Sequence, residues 1–301
     1  MKRTIIILTI LTTFMSLAQS ENTINAGNSK LHYKIFGSGK PILVINGGPG
    51  MNSDGFAFIA EELSKMNYQT IIYDQRGTGK STLENPNNKN VTMDLMVDDI
   101  ETLRKHLKID KWTIFGHSFG GIMETYYASK HPETIDKLIF SSSGGVNMKF
   151  LTYLQERLNN NLTQVEKDSL NVYQQKFNAG DNSIETLKSR AKYLSNAYVY
   201  NKLNAPIIAK RLTQINFKIN SLVIENLQEI KFDCSKSFTN FKQPVLVLQG
   251  KNDIISTETA KEIADSFPNS KLVLLEKCAH YGWLDSKEIY LKTIEEFLKQ
   301  N

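Results

Sequence analysis

The chain has 301 residues, of which 41% are hydrophobic and 22% charged, with a formal net charge of +5. That length suits one large α/β domain or a domain carrying an insertion, and the proportions are those of a globular protein. No lysine–arginine run marks a nucleic-acid footprint, and two cysteines without a C-x-x-C or H-E-x-x-H motif make no case for a metal site or a resident cofactor.

Residues 1–20 stand apart. Lys2 and Arg3 precede an apolar run from Ile5 to Leu17, and Ala18-Gln19-Ser20 places small residues at −3 and −1 before Glu21. This pattern predicts a secretory signal peptide, a mature start near Glu21 and export to the periplasm or the outside. The run is short for a span of ~20 residues and lacks a positive flank after it, so no stable membrane anchor is expected. Export would permit a disulfide between Cys234 and Cys278, although a domain of this size does not need one.

Leu31 to Phe36 alternates as an early strand. Pro41 to Ile45 is a continuous apolar run, as expected of a strand buried on both faces, and it ends in the glycine-rich Asn46-Gly47-Gly48-Pro49-Gly50. Tyr68 to Tyr73 is the next strand. Asp74-Gln75-Arg76-Gly77-Thr78-Gly79-Lys80-Ser81 follows; it lacks the first glycine of a phosphate loop, so Asp74 and Arg76 are expected to organise the loop, through an ion pair or a backbone hydrogen bond. Thr92 can cap a helix to Leu107, with Met93, Met96, Ile100, Leu103 and Leu107 on one face.

The segment Lys111 to Gly121 then presents a strand, the pentapeptide Gly116-His117-Ser118-Phe119-Gly120 and a helix to Lys130. Strand, sharp turn and helix are the context of a nucleophile elbow. Lys137 to Ser142 is another buried strand. Strand–helix alternation lapses over residues 147–240, which read as an inserted helical cap at the rim where α/β active sites lie. It resumes with strands at Val245–Leu248 and Lys271–Glu276 and helices from Ser256 or Thr257 to Phe267 and from Ser286 to Lys299. The expected organisation is a leader at 1–20, core at 21–146, cap at 147–240 and core at 241–301, with a mostly parallel sheet covered by helices on both faces.

Ser118, Asp253 and His280 each fall at the carboxyl end of a predicted strand, in the chain order of an α/β-hydrolase triad. A serine hydroxyl needs a base within reach, imidazole titrates near neutral pH, and a carboxylate fixes the imidazole tautomer. Of five histidines, His32, His106, His117 and His131 compete for the base role; His117 is expected to point elsewhere on the turn, and only His280 follows the last strand. The backbone N–H groups of Phe119 and Gly48 are the expected oxyanion donors.

The motifs Gly47-Gly48-Pro49-Gly50, Asp74 to Ser81 and Gly116 to Gly121, with Asp253 and His280-Tyr281-Gly282-Trp283, resemble the proline iminopeptidase family of α/β-hydrolase serine peptidases. The resemblance covers about Lys30 to Gly145 and Phe241 to the end. It implies a serine peptidase releasing N-terminal residues, proline preferred, from short peptides, which the leader pattern would make a secreted one; an esterase or lactonase with the same triad is the alternative. The chain departs from the family at Asn46, where members carry His, and in the insertion, where acidic residues hold the substrate amine. Ile224-Glu225-Asn226 faintly matches one such segment, so Glu225 is the expected amine-binding residue. The expected partner is a small peptide or ester.

Overall fold

Runs of β-branched and aliphatic residues form the centre of the sheet. The computed structural model describes residues 19–300 and contains, in chain order, β1 (Gln19–Ala26), β2 (Ser29–Phe36), β3 (Lys40–Ile45), α1 (Ala57–Ser64), β4 (Tyr68–Tyr73), β5 (Thr82–Leu83), α2 (Met93–His106), β6 (Trp112–His117), α3 (Phe119–Lys130) and β7 (Ile135–Ser141). Five helices follow: α4 (Phe150–Asn160), α5 (Gln164–Asn178), α6 (Ile184–Leu194), α7 (Ala205–Leu212) and α8 (Phe217–Glu229). The chain ends with β8 (Val245–Gly250), α9 (Thr257–Ser266), β9 (Ser270–Leu275), α10 (Gly282–Asp285) and α11 (Lys287–Leu298). The strand order is β1-β2-β4-β3-β6-β7-β8-β9, with β5 paired to β2. Strands from β4 through β9 run parallel, while β1, β2 and β5 form an antiparallel margin.

Side-chain alternation divides the core. Ile42, Val44, Ile72, Phe115, Ile139 and Leu246 point to the face covered by α1 and α11. Leu43, Ile45, Ile71, Ile114, Leu138 and Val247 point to the face covered by α2, α3 and α9. Thr92 caps α2 by accepting from the Leu95 N–H at 3.2 Å, and Ser256 caps α9 by accepting from Thr259 at 3.2 Å.

The sequence reading missed β1. Its strand, QSENTINA, buries only Ile24 and Ala26 among apolar residues, the weak signature of an edge strand. Gln19 and Ser20, grouped with the leader, open this strand; the rest of the leader lies outside the described residues. Cys234 and Cys278 are free and buried in the cores on opposite sides of the sheet, which corrects the possible disulfide.

Arg76 organises its loop through backbone carbonyls and an acid on another element. It reaches α2 rather than Asp74: Nε and Nη2 donate to the two oxygens of Asp99 at 2.8 and 2.7 Å, and Nη1 and Nη2 donate to the Asn90 and Leu95 carbonyls, both at 2.8 Å. Asp74 instead accepts from the Ser53 N–H, the Lys80 N–H and His32 Nδ1 at 2.7, 2.8 and 2.9 Å. The 74–81 segment turns back on itself, so each charge meets a different element. Because Arg76 and Asp99 are both buried, removing one leaves the other uncompensated. Asp99→Ala is expected to cost about 3–5 kcal/mol in urea unfolding, while Arg76→Met with Asp99→Leu costs clearly less than that. A single-change cost below about 1 kcal/mol would mean that the pair acts as a solvated surface pair.

Candidate active site

Ser118 stands where β6 hands over to α3. Its backbone is at φ +55° and ψ −118°, a conformation that costs a non-glycine residue about 1–3 kcal/mol. Backbone bonds hold it there. The Ser118 N–H donates to the Ser141 carbonyl at 3.1 Å, and its own carbonyl accepts from the Gly121 and Gly144 N–H groups, both at 3.0 Å. A Cβ on Gly120 would lie 2.0 Å from the Ile45 carbonyl oxygen, and one on Gly47 would lie 2.7 Å from Ser118 Cβ. The turn and the glycine-rich loop after β3 therefore meet backbone to backbone.

Asp253, in the loop after β8, is fully buried. Its Oδ1 accepts from the Ile255 N–H at 3.1 Å and pairs with His280 Nδ1 at 2.8 Å; its Oδ2 accepts from Gln249 Nε2 at 2.7 Å. A carboxylate facing Nδ1 selects the tautomer with the proton there and leaves Nε2 as a base. His280 follows β9, and its N–H donates to the Tyr198 carbonyl at 3.0 Å, so the helical cap helps hold the loop. Ser118 and His280 line one cavity of about 540 Å³. Gly48 and Phe119 line it too, and among the described residues neither of their N–H groups donates to a backbone carbonyl.

His117 does not point away, as the turn geometry implied. Its ring lies 4.6 Å from that of His280 and 5.0 Å from each of those of Tyr281 and Trp283. Burial, aided by the neighbouring His280, pushes its pKa well below the ordinary value. It is a neutral packing surface for the ring of His280.

The roof of the cavity comes from the cap: Leu154 of α4, Phe177 of α5, Arg190 and Leu194 of α6, and one face of α8. On α8 that face is Phe217, Asn220, Ser221, Ile224 and Leu227, at helical spacing. Glu225 lies off it and is exposed, which corrects its assignment as the amine-binding residue. Among the described residues no Asp or Glu side chain lines the cavity. Asn46, where the resembling family carries His, donates through Nδ2 to the Gly47 and Met51 carbonyls, both at 3.2 Å, and so organises the loop.

Three residues missed in sequence shape this site. Gln249 orients Asp253, and its only signal was a polar residue ending the apolar run of β8. Arg211 of α7 is buried and reaches down to the loop, with Nη2 donating to the Gly47 carbonyl at 2.9 Å and Nη1 to the Asn52 carbonyl at 3.3 Å. Arg190 was hidden in a stretch rich in basic residues.

Comparison with known proteins fits this architecture. Residues 40–287 match the family model described as alpha/beta hydrolase fold. The proline iminopeptidase of Clostridioides difficile (strain 630) is 27% identical over 289 residues, spanning 90% of this chain and 95% of that protein. Among solved structures, an esterase from Exiguobacterium antarcticum superposes with a TM-score of 0.72 at 19% identity, covering 93% of this chain and 100% of the other. The proline iminopeptidase of Mycobacterium smegmatis does so with a TM-score of 0.68 at 19% identity, covering 93% and 97%.

Beneath the turn lies Glu124 of α3, which has no exposure to solvent. Its Oε1 accepts from the Ile139 N–H at 3.1 Å, and a Cβ on Gly116 would lie 2.3 Å from Oε2. Burial pushes its pKa well above the ordinary 4.5, outweighing the N–H groups that favour the charged form. Below about pH 4.5 both folded and unfolded states hold this proton; above it only the folded state does. Its contribution therefore makes stability fall with rising pH, by about 1.4 kcal/mol per unit, until the folded carboxyl ionises. Glu124→Gln is expected to remove this slope, so that unfolding measured from pH 4 to 9 shows a gap opening in the variant's favour. Parallel profiles would show that Glu124 is ionised in the fold.

Proposed function

The chain belongs to the α/β-hydrolase fold family, and from that premise we propose that it is a serine hydrolase that splits small esters or amides through an acyl-enzyme on Ser118. The observation that carries this reading is the pairing of His280 Nδ1 with buried Asp253 at 2.8 Å, in a cavity shared with a positive-φ serine. In the first step Ser118 Oγ attacks the substrate carbonyl while His280 Nε2 takes its proton. The tetrahedral oxyanion is received by the Phe119 and Gly48 N–H groups. Collapse breaks the bond to the leaving oxygen or nitrogen, which takes the proton from His280 and departs as alcohol or amine. Water then loses a proton to His280 and attacks the acyl ester; Ser118 leaves with that proton, and a carboxylic acid is released. Asp253 orients the imidazole and stabilises its charged form throughout.

Two substrate readings have separate support. The names of the sequence relatives support an aminopeptidase releasing N-terminal residues, proline preferred. The absence of a carboxylate from the cavity lining among the described residues supports the ester or lactone reading, since a free ammonium taken from water is costly without a partner. The leader pattern of residues 1–20 supports export in either case.

A fluorophosphonate probe is expected to label the wild type and not Ser118→Ala. Ser118→Ala and His280→Ala should each lower kcat by about 10⁴-fold or more, and the double variant should lose little beyond either, because the groups act as a unit. Multiplying losses would break the assignment. Prolyl-4-nitroanilide and 4-nitrophenyl butyrate, assayed side by side, decide between the amine and ester readings.

A further inference from the structure

Among the described residues Arg190 is the one Lys or Arg side chain in the cavity lining, and no Asp or Glu lies there with it. It is held in place without being neutralised. Its Nε donates to Gln174 Oε1 at 2.6 Å, and its guanidinium carbon lies 5.2 Å from the centre of the Phe177 ring. Phe177 is itself packed against Phe217 of α8, with ring centres 4.8 Å apart. With Nε occupied and the plane resting on an aromatic face, the two Nη groups remain, and among the described residues Arg190 enters no salt bridge. Those Nη groups carry four N–H donors in a planar fork, the geometry that matches a carboxylate. Much of the rest of the lining is apolar: Leu154, Leu194, Phe217, Ile224 and Leu227. A fixed, unpaired cation among such side chains interacts strongly with an anion and repels an ammonium.

We infer that Arg190 is a specificity residue that anchors a carboxylate carried by the substrate away from the scissile carbonyl. This rests on the acyl-enzyme reading and names a substrate class for it: short, largely apolar esters or amides bearing one carboxylate. The carboxylate has two possible sources. It can belong to the acyl part, as in the half-ester of a dicarboxylic acid, or it can be the C-terminus of a dipeptide.

Two substrate pairs distinguish the sources. One is mono-4-nitrophenyl glutarate against its methyl diester; the other is prolyl-alanine against prolyl-alanine amide. The wild type is expected to favour the acid of at least one pair by roughly tenfold or more in kcat/KM, chiefly through KM. Arg190→Gln should bring that acid-to-neutral ratio close to one, and Arg190→Lys should keep part of it, because the charge remains while the fork is lost. Preference confined to the glutarate pair assigns the carboxylate to the acyl part; preference confined to the dipeptide assigns it to the leaving group. A ratio at or below one in both pairs for the wild type overturns the inference. So does a ratio that Arg190→Gln leaves unchanged while slowing both members, which would make Arg190 a tie between α5 and α6. A binding measurement is independent of turnover: monomethyl glutarate should bind calorimetrically to Ser118→Ala protein and lose about tenfold in affinity when Arg190→Gln is added. Absence of fluorophosphonate labelling with retained binding would sink the acyl-enzyme reading alone. Absence of binding with retained labelling would sink the carboxylate anchor alone.

Discussion

The site depends on how closely β6 and α3 pass the end of β3. At Gly120 the space left for a side chain is nil, since a Cβ would come within 2.0 Å of the Ile45 carbonyl oxygen. That contact draws the turn at Ser118 tight and presses the loop after β3 against it. Strain at Ser118 is tolerated because its N–H and carbonyl are bonded to Ser141, Gly121 and Gly144. One consequence is chemical. The Phe119 and Gly48 N–H groups sit next to these close contacts, and donors fixed in advance would need no reorganisation if charge developed on a substrate oxygen.

Charge is distributed unequally about this turn. Deep in the core, Arg76 meets Asp99 in a two-pronged pair. Close to the cavity the cations are not matched in that way. Arg211 is buried against backbone carbonyls and the face of Phe56, 4.8 Å from its guanidinium carbon, and Arg190 has only Gln174 and Phe177. His117 adds no charge, and the buried carboxylate of Asp253 is shared by three donors. Two guanidinium groups thus flank the cavity without a carboxylate paired to either among the described residues, an arrangement that would favour an anion over an ammonium there. Arg211 also makes the cap more than a cover. By reaching from α7 to Gly47 and Asn52 it braces the loop that carries Gly48.

The core was legible because its constraints are local. A strand buried on both faces must be apolar at every position, as Val245 to Leu248 is, and a strand-to-helix turn this tight must have glycine at 116 and 120. Ser118, Asp253 and His280 were legible as candidates because each follows a parallel strand of the sheet. The edge strand β1 escaped because pairing on one side, not side-chain burial, holds it. The structural part of Arg76 was legible but its acid, Asp99, was not, because distance along the chain says nothing about a loop that doubles back. Glu225 failed for a related reason. Its setting in Leu222-Val-Ile-Glu225 looks apolar in one dimension, but the helical period sends Ile224 inward and Glu225 outward.

The cap resisted reading because few of its positions are tightly constrained. Helices α4 and α5 bury no residue fully, so their sequences carry little patterning, and local stability there is expected to be low. Helix α6 is different: Thr186 and Ala191 are buried on either side of Arg190. A guanidinium anchored on that helix, with Nε taken by α5 and its plane set against Phe177, has a defined direction even where its neighbours are loosely packed. The chemistry is thus fixed by backbone geometry in the parallel sheet, whereas substrate choice depends on individual side chains on a helical layer. Such side chains can change without disturbing the turn below, so the motifs around Ser118 specify the reaction and leave the substrate to be read from the cavity.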